Sequence, residues 1–154
     1  MKFCHRYDME LHLVHVSTDH QVKNNISVLG MLYKIGKPDK FLSKIMRNVS
    51  SIMDEQHIES PLGMVNPRKI NSRSKRYFRY LGSLTVPPCT EGVIWTINKK
   101  VKTVSRHQVN LLREAVHDVN LKKKKWIWQY AERNARPLQA RNSRDIYLYG
   151  SGVN

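Results

Sequence analysis

The stretch that decides the fold is ELHLVH at residues 10–15, taken together with GSLTVPPCTEGVIW at residues 82–95. In a β-strand successive side chains point to opposite faces, so Glu10, His12 and Val14 share one face of the first segment. The nearly continuous apolar run around His12 is typical of a strand that is buried on both faces. The first segment therefore predicts a buried strand with a carboxylate and an imidazole on the same face.

His12 is the candidate metal-ligating residue of this segment. A buried imidazole needs a partner for each ring nitrogen. A metal could bind one nitrogen while Glu10 orients the ring through the other, and the simpler alternative is a core histidine bonded to the backbone. His15 and His5 stand at odd offsets from His12 and so lie on the opposite face. We interpret His15 as a structural core histidine and His5 as strand surface.

The two segments closely resemble alpha-class carbonic anhydrases of the plant type, which hydrate carbon dioxide on a zinc held by three histidines. The resemblance maps His12 onto the third zinc histidine and Glu10 onto the carboxylate that orients the ligand shell. It implies that Thr85 accepts the proton of the zinc-bound hydroxide and so orients the lone pair that attacks. Val86 stands where the family usually has a second threonine, which contacts inhibitors and bicarbonate. The implied apolar wall for carbon dioxide consists of Val14, Val28, Leu84 and Trp95.

The resemblance runs from about Arg6 to Tyr149 and implies a mixed α/β, mainly β fold. The expected architecture is a twisted, largely antiparallel central sheet with peripheral helices, and it is incomplete. Residues 1–154 would form a single partial domain that lacks roughly the first third of the family domain. Asn120–Tyr130 (NLKKKKWIWQY) fits nothing in the family at this point and is interpreted as an atypical insertion.

Local patterns place further elements along the chain. Asn25–Gly36 resembles the strand that follows the third histidine of the family. Apolar residues recur at helical spacing over Phe41–Met53 and Ser105–Val116, with Ser105 as the expected cap of the second helix. Asn134–Gln139 matches the closing Asn-x-Arg-Pro-x-Gln element of the family.

The remaining zinc ligands of the family form a His-x-His pair on a neighbouring strand. No His-x-His occurs among the 154 residues. A catalytic zinc usually takes three protein ligands and keeps an open position for water. We therefore expect this chain to bind zinc poorly by itself. The family reaction, reversible hydration of carbon dioxide to bicarbonate, is expected to be weak or absent in it.

The formal charge of +15 is the feature that the resemblance leaves unexplained. Arg68–Arg79 combines basic residues with Tyr77 and Phe78, and Lys122–Lys125 precede Trp126-Ile127-Trp128. Such clusters grip phosphates and stack on bases, so a polyanion- or nucleic-acid-binding protein is one alternative. A solvated charged face and a non-catalytic carbonic anhydrase-like binding module are the others. We also expect self-association through an exposed strand edge at Glu10–Val16.

The cysteines and the N-terminal residues bear on the oxidation state and the localisation of the chain. The resemblance implies that Cys89 would pair with a cysteine near the mature N-terminus that this sequence does not contain, so both Cys4 and Cys89 are expected to be free thiols. The sequence has no apolar run of membrane-spanning length, and residues 1–6 lack the apolar stretch of a signal peptide. The resemblance implies the secretory pathway or the chloroplast, as for most relatives. Two alternatives stay open: a leader lost with the missing third of the family domain, or a cytoplasmic product if the sequence is translated as given.

Overall fold

A computed structural model of the chain describes residues 6–19, 21–52, 66, 70, 74–115, 117–119, 128–130 and 135–150. Within these ranges strands and helices alternate irregularly along the sequence. The strands are β1 (Met9–Val16), β2 (Ile26–Ile35), β3 (Tyr77–Ser83), β4 (Glu91–Asn98), β5 (Lys102–Val104), β6 (His117–Val119), β7 (Trp128–Tyr130) and β8 (Tyr147–Tyr149). The helices are α1 (Lys40–Ile52) and α2 (Arg106–Ala115). The predicted strand after residue 25 and both predicted helices are confirmed to within two residues at each end.

The chain divides into two compact units, of which the first holds residues 1–34, 72–102 and 136–154. Its strands are hydrogen bonded in the order β1-β2-β4-β3-β8. Every neighbouring pair is antiparallel except β2 and β4, which run parallel. The expected mainly β, largely antiparallel sheet is therefore confirmed. Its core cluster joins Val28, Val93 and Trp95, with Leu84 and Tyr80 among the partly buried residues packed against them.

The second unit, residues 35–71 and 103–135, contains both helices. The Asp39 carboxylate accepts hydrogen bonds from the backbone amides of residues 41 and 42, so α1 begins directly after this cap. The Ser105 hydroxyl accepts from the amide of Gln108, which confirms the predicted cap of α2. The buried Gln108 side chain donates to the Asp39 carbonyl and to the Ser43 hydroxyl. One side-chain amide therefore links the start of α1 to the first turn of α2.

Two expectations for the first strand are wrong. His15 is exposed, not a core histidine, and Val14 and Val16 are 56% and 64% exposed. Leu11 and Leu13 are half-buried, so β1 does not bury both of its faces fully. The physical reason lies in the strand order: among the described residues β1 pairs only with β2 and stands at the end of the sheet.

Several expectations fall at least partly outside the described residues. These include His5, Cys4 and most of the two basic clusters. Within the segment interpreted as an insertion, residues 128–130 form β7, which pairs antiparallel with β6. No helix in the described part of the chain is long and apolar enough to cross a membrane.

Candidate functional site

Glu10 and His12 are two residues apart on β1, so the alternation of the strand places both side chains on one face. The imidazole Nε2 and the carboxylate Oε2 of Glu10 are 3.1 Å apart, a hydrogen-bond distance. A carboxylate accepts, so Nε2–H donates and the lone pair of the neutral ring lies on Nδ1. Among the described residues no hydrogen bond reaches Nδ1. The contact between Glu10 and His12 is therefore present, and the role of Glu10 in orienting a metal ligand stays a prediction.

The indole ring of Trp95 packs against the imidazole of His12. The two rings meet edge to face, with centroids 4.9 Å apart and an angle of 80° between their planes. The indole is nearly buried, donates from Nε1 to the Ser83 carbonyl at 2.9 Å, and is stacked with Tyr80 at a centroid distance of 6.2 Å. The position of Trp95 is therefore fixed by contacts with Ser83 and Tyr80 that do not involve the imidazole. Sequence reasoning predicted Trp95 as part of the wall but missed Tyr80 behind it.

Thr85 lies in the turn between β3 and β4, and its side chain is exposed. The turn is held at its base by a hydrogen bond of 2.9 Å from the Leu84 amide to the Thr90 carbonyl. Arg136 donates from Nη1 to the Leu84 carbonyl at 3.3 Å and lies 3.5 Å from the Ser83 hydroxyl oxygen. Arg136, which belongs to the Asn-x-Arg-Pro-x-Gln motif, thus anchors the residue before Thr85. The motif was visible in the sequence, but its contact was not.

The predicted apolar wall is brought together only in part. Val28 and Trp95 are 2% and 4% exposed and share one core cluster, and Leu84 packs against that cluster. Val14 is the cross-strand partner of Val28, yet most of its side chain is exposed. Val86 is 61% exposed and lies outside the cluster. The substrate contacts of all five residues stay predictions.

The described residues do not by themselves form a metal centre. No group of three His, Cys, Asp or Glu side chains that could hold a metal occurs in the described ranges. His12 with Glu10 supplies one imidazole and its orienting carboxylate. A catalytic zinc takes three protein ligands, so this donor set does not fit the metal.

The hydrogen bond with His12 lowers the pKa of Glu10 from its usual value. Partial burial raises this pKa, and the electrostatic interaction with His12 lowers it further. Burial raises the pKa of Tyr80, and the negative charge of Glu10 raises it further, whereas Arg144 opposes both. Glu10 is therefore ionised at neutral pH and available as the acceptor for His12.

The substitution Glu10→Gln should make the unfolding free energy less dependent on pH in the acidic range. A carboxylate whose pKa is lowered by folding stabilises the protein above its unfolded value, near 4.5, and loses that contribution as pH falls through the folded value. The expected effect is below about 1 kcal/mol because the Glu10 side chain is about half exposed. Urea unfolding of both proteins across this pH range measures it. A constant difference between them would contradict the prediction.

The sequence profile of eukaryotic-type carbonic anhydrases matches residues 4–150. The chain belongs to the carbonic anhydrase family. It is 45% identical over 144 residues to carbonic anhydrase Nec1 of Nesocodon mauritianus, covering 94% of this chain and 48% of the relative. It is 41% identical over 148 residues to alpha carbonic anhydrase 4 of Arabidopsis thaliana, covering 96% and 49%.

The fold agrees with this assignment. A crystal structure of dioscorin complexed with ascorbate superposes with a TM-score of 0.81 at 36% identity, covering 98% of this chain and 57% of dioscorin. This carbonic anhydrase family chain spans about half the length of the curated relatives it matches. Alpha carbonic anhydrases are generally zinc-dependent and act on carbon dioxide and bicarbonate.

Proposed function

We propose that this chain carries one side of an alpha-class carbonic anhydrase pocket and that the 154 residues by themselves do not hydrate carbon dioxide. The observation that carries the proposal is the His12 imidazole, held by Glu10 and set against Trp95. In this assignment His12 would be one of the zinc ligands, Glu10 would orient it, and Thr85 would position the oxygen that attacks carbon dioxide.

The proposed roles follow from the lone pairs and surfaces of these side chains that no contact among the described residues uses. Glu10 uses the Nε2 hydrogen of His12, so the Nδ1 lone pair is the donor for a metal. Val28, Leu84 and Trp95 offer an uncharged surface, which suits an uncharged substrate. A complete pocket would need two more imidazoles, because one neutral ring does not retain zinc at useful affinity.

Metal content and activity test this proposal directly. The 154-residue chain, purified in the presence of zinc and then dialysed, should retain far less than one equivalent by mass spectrometry. Stopped-flow hydration of carbon dioxide should be no faster than for His12→Ala, which removes the imidazole and serves as the matched control. Stoichiometric zinc together with hydration that a sulfonamide inhibits would contradict the proposal.

A non-catalytic binding module is the second candidate, and the similarity to dioscorin favours it. That protein is complexed with ascorbate in its crystal structure. If the present chain binds a small anion without metal, calorimetric titration with ascorbate should give a binding isotherm that is unchanged by a chelator. Retention of zinc separates the first candidate from this one.

The outer face of β3 favours the third candidate, weak binding of polyanions. The Arg79 guanidinium lies 5.4 Å and 5.8 Å from the ring centroids of Tyr77 and Tyr149. Lys75 and Arg76 are exposed just before β3, and Tyr147 is 55% exposed on β8. Basic groups and exposed rings together suit phosphates and bases.

Salt dependence and a charge-matched variant test this candidate. Anisotropy of a labelled single-stranded oligonucleotide should show weaker binding as salt rises, because contacts with phosphates release counterions. Arg79→Gln should then weaken binding more than Lys23→Gln, which removes the same charge from an exposed position on the β1–β2 connection. Equal losses in the two variants would assign the effect to the net charge of the whole chain.

A further inference from the structure

Position 30 on β2 lies between the two aromatic rings of the site. Gly30 is the cross-strand partner of His12 on one side and of Ile97 on the other. Cross-strand partners project to the same face of a sheet, and Trp95 shares this face because it is two residues from Ile97 on β4. A side chain at position 30 would therefore stand between His12 and Trp95, which lie on strands that are separated by β2 and are not hydrogen bonded to each other.

The space at Gly30 is narrow and well defined. A Cβ built there would lie 3.9 Å from His12 Cδ2 and 3.7 Å from Trp95 Cζ3, both ordinary van der Waals distances. The same Cβ would lie 2.6 Å from Ile97 Cδ1, which is too close. A larger side chain would add atoms beyond a Cβ that already touches both rings and strikes Ile97. The edge-to-face contact between His12 and Trp95 therefore depends on the missing side chain.

The contact matters because one hydrogen bond does not fix a ring. The covalent bond to Cβ and the hydrogen bond from Nε2 to Glu10 hold the imidazole at two points but leave rotation about the line between these points free. The buried Trp95, fixed by Ser83 and Tyr80, supplies the second restraint and so sets the plane of the ring. A metal ligand has to be held within about 10–20° of its working direction.

We infer that Gly30 is a positioning residue: its bare Cα lets Trp95 reach His12 across β2 and so fixes the direction of the Nδ1 lone pair. The functional meaning of this inference rests on the proposed role of His12 as a ligand. The ring contact itself does not, because it is a contact between two side chains of this chain and involves no other group. Failure of the contact and failure of the zinc assignment are therefore separate results.

Nuclear magnetic resonance of the full 154-residue chain, with labelled histidine and tryptophan, tests the inference. The unsubstituted chain should show a nuclear Overhauser effect between the His12 and Trp95 rings, and a ring-current shift of the His12 carbon-bound protons. Gly30→Val should abolish both signals. Ser27→Val is the matched control, because it adds the same branched side chain to the opposite face of β2 and should keep both signals.

A second variant distinguishes loss of the space at position 30 from general destabilisation of the fold. Gly30→Ala/Ile97→Val adds one Cβ and removes the Cδ1 atom that it would strike, so it should fold and keep the ring contact. Absence of the Overhauser effect in the unsubstituted chain would overturn the inference even if Gly30→Val failed to fold. Retention of the effect in a folded Gly30→Val, or its loss in Ser27→Val, would overturn it as well.

Discussion

Thr85→Ala is expected to lower kcat/KM for carbon dioxide hydration by about 100-fold in a protein that completes the pocket, and to change nothing in the 154-residue chain. A hydroxyl that positions an attacking oxygen matters only where such an oxygen is generated. The Thr85 side chain is exposed and is not among the residues packed against the described core cluster of Val28, Val93 and Trp95, so its loss should not destabilise the fold. The two outcomes therefore separate a catalytic role from a structural one.

A chimera makes this measurement possible. The part of carbonic anhydrase Nec1 that the present chain does not match can be fused to residues 1–154, and hydration compared by stopped flow. Thr90→Ala is the matched control, because only the backbone carbonyl of Thr90 is used in the turn, by the Leu84 amide. An active chimera in which Thr85→Ala has no more effect than Thr90→Ala would show that the second motif is assigned wrongly.

The second large effect concerns association through β1. The chain alone is expected to self-associate or aggregate, because β1 ends the described sheet and exposes Val14 and Val16 on it. An apolar strand with unpaired backbone groups along one side is a template for pairing with another chain. The charge of +15 opposes association at low ionic strength, so added salt should promote it by screening.

Variants at this strand give a sharp test. Val14→Lys should shift the chain towards monomer in size-exclusion chromatography, since a charge on an edge strand blocks pairing. Val22→Lys introduces the same charge at another exposed valine outside the strands and should leave association unchanged. A monomer peak for the unsubstituted chain at both low and high salt, with cooperative thermal unfolding, would contradict the prediction.

The predictions from the sequence were most successful for interactions between residues a few positions apart in the chain. The alternation of a strand was enough to place Glu10 beside His12, and the hydrogen bond between them follows. Helical spacing and the Ser105 cap placed α2 correctly, because capping involves residues three positions apart. Prediction failed at His15, where an apolar run suggested burial that only a neighbouring strand could provide.

The sequence by itself determined the family, the strand that carries His12 and the carboxylate that is hydrogen bonded to it. All of these depend on residue types and on spacings of a few residues. The tertiary structure alone decided that Trp95 reaches His12 over Gly30 and that Arg136 holds the turn before Thr85. These contacts depend on the register between strands far apart in the chain, which no local pattern encodes. The exposure of β1 is likewise decided by which strands lie beside it.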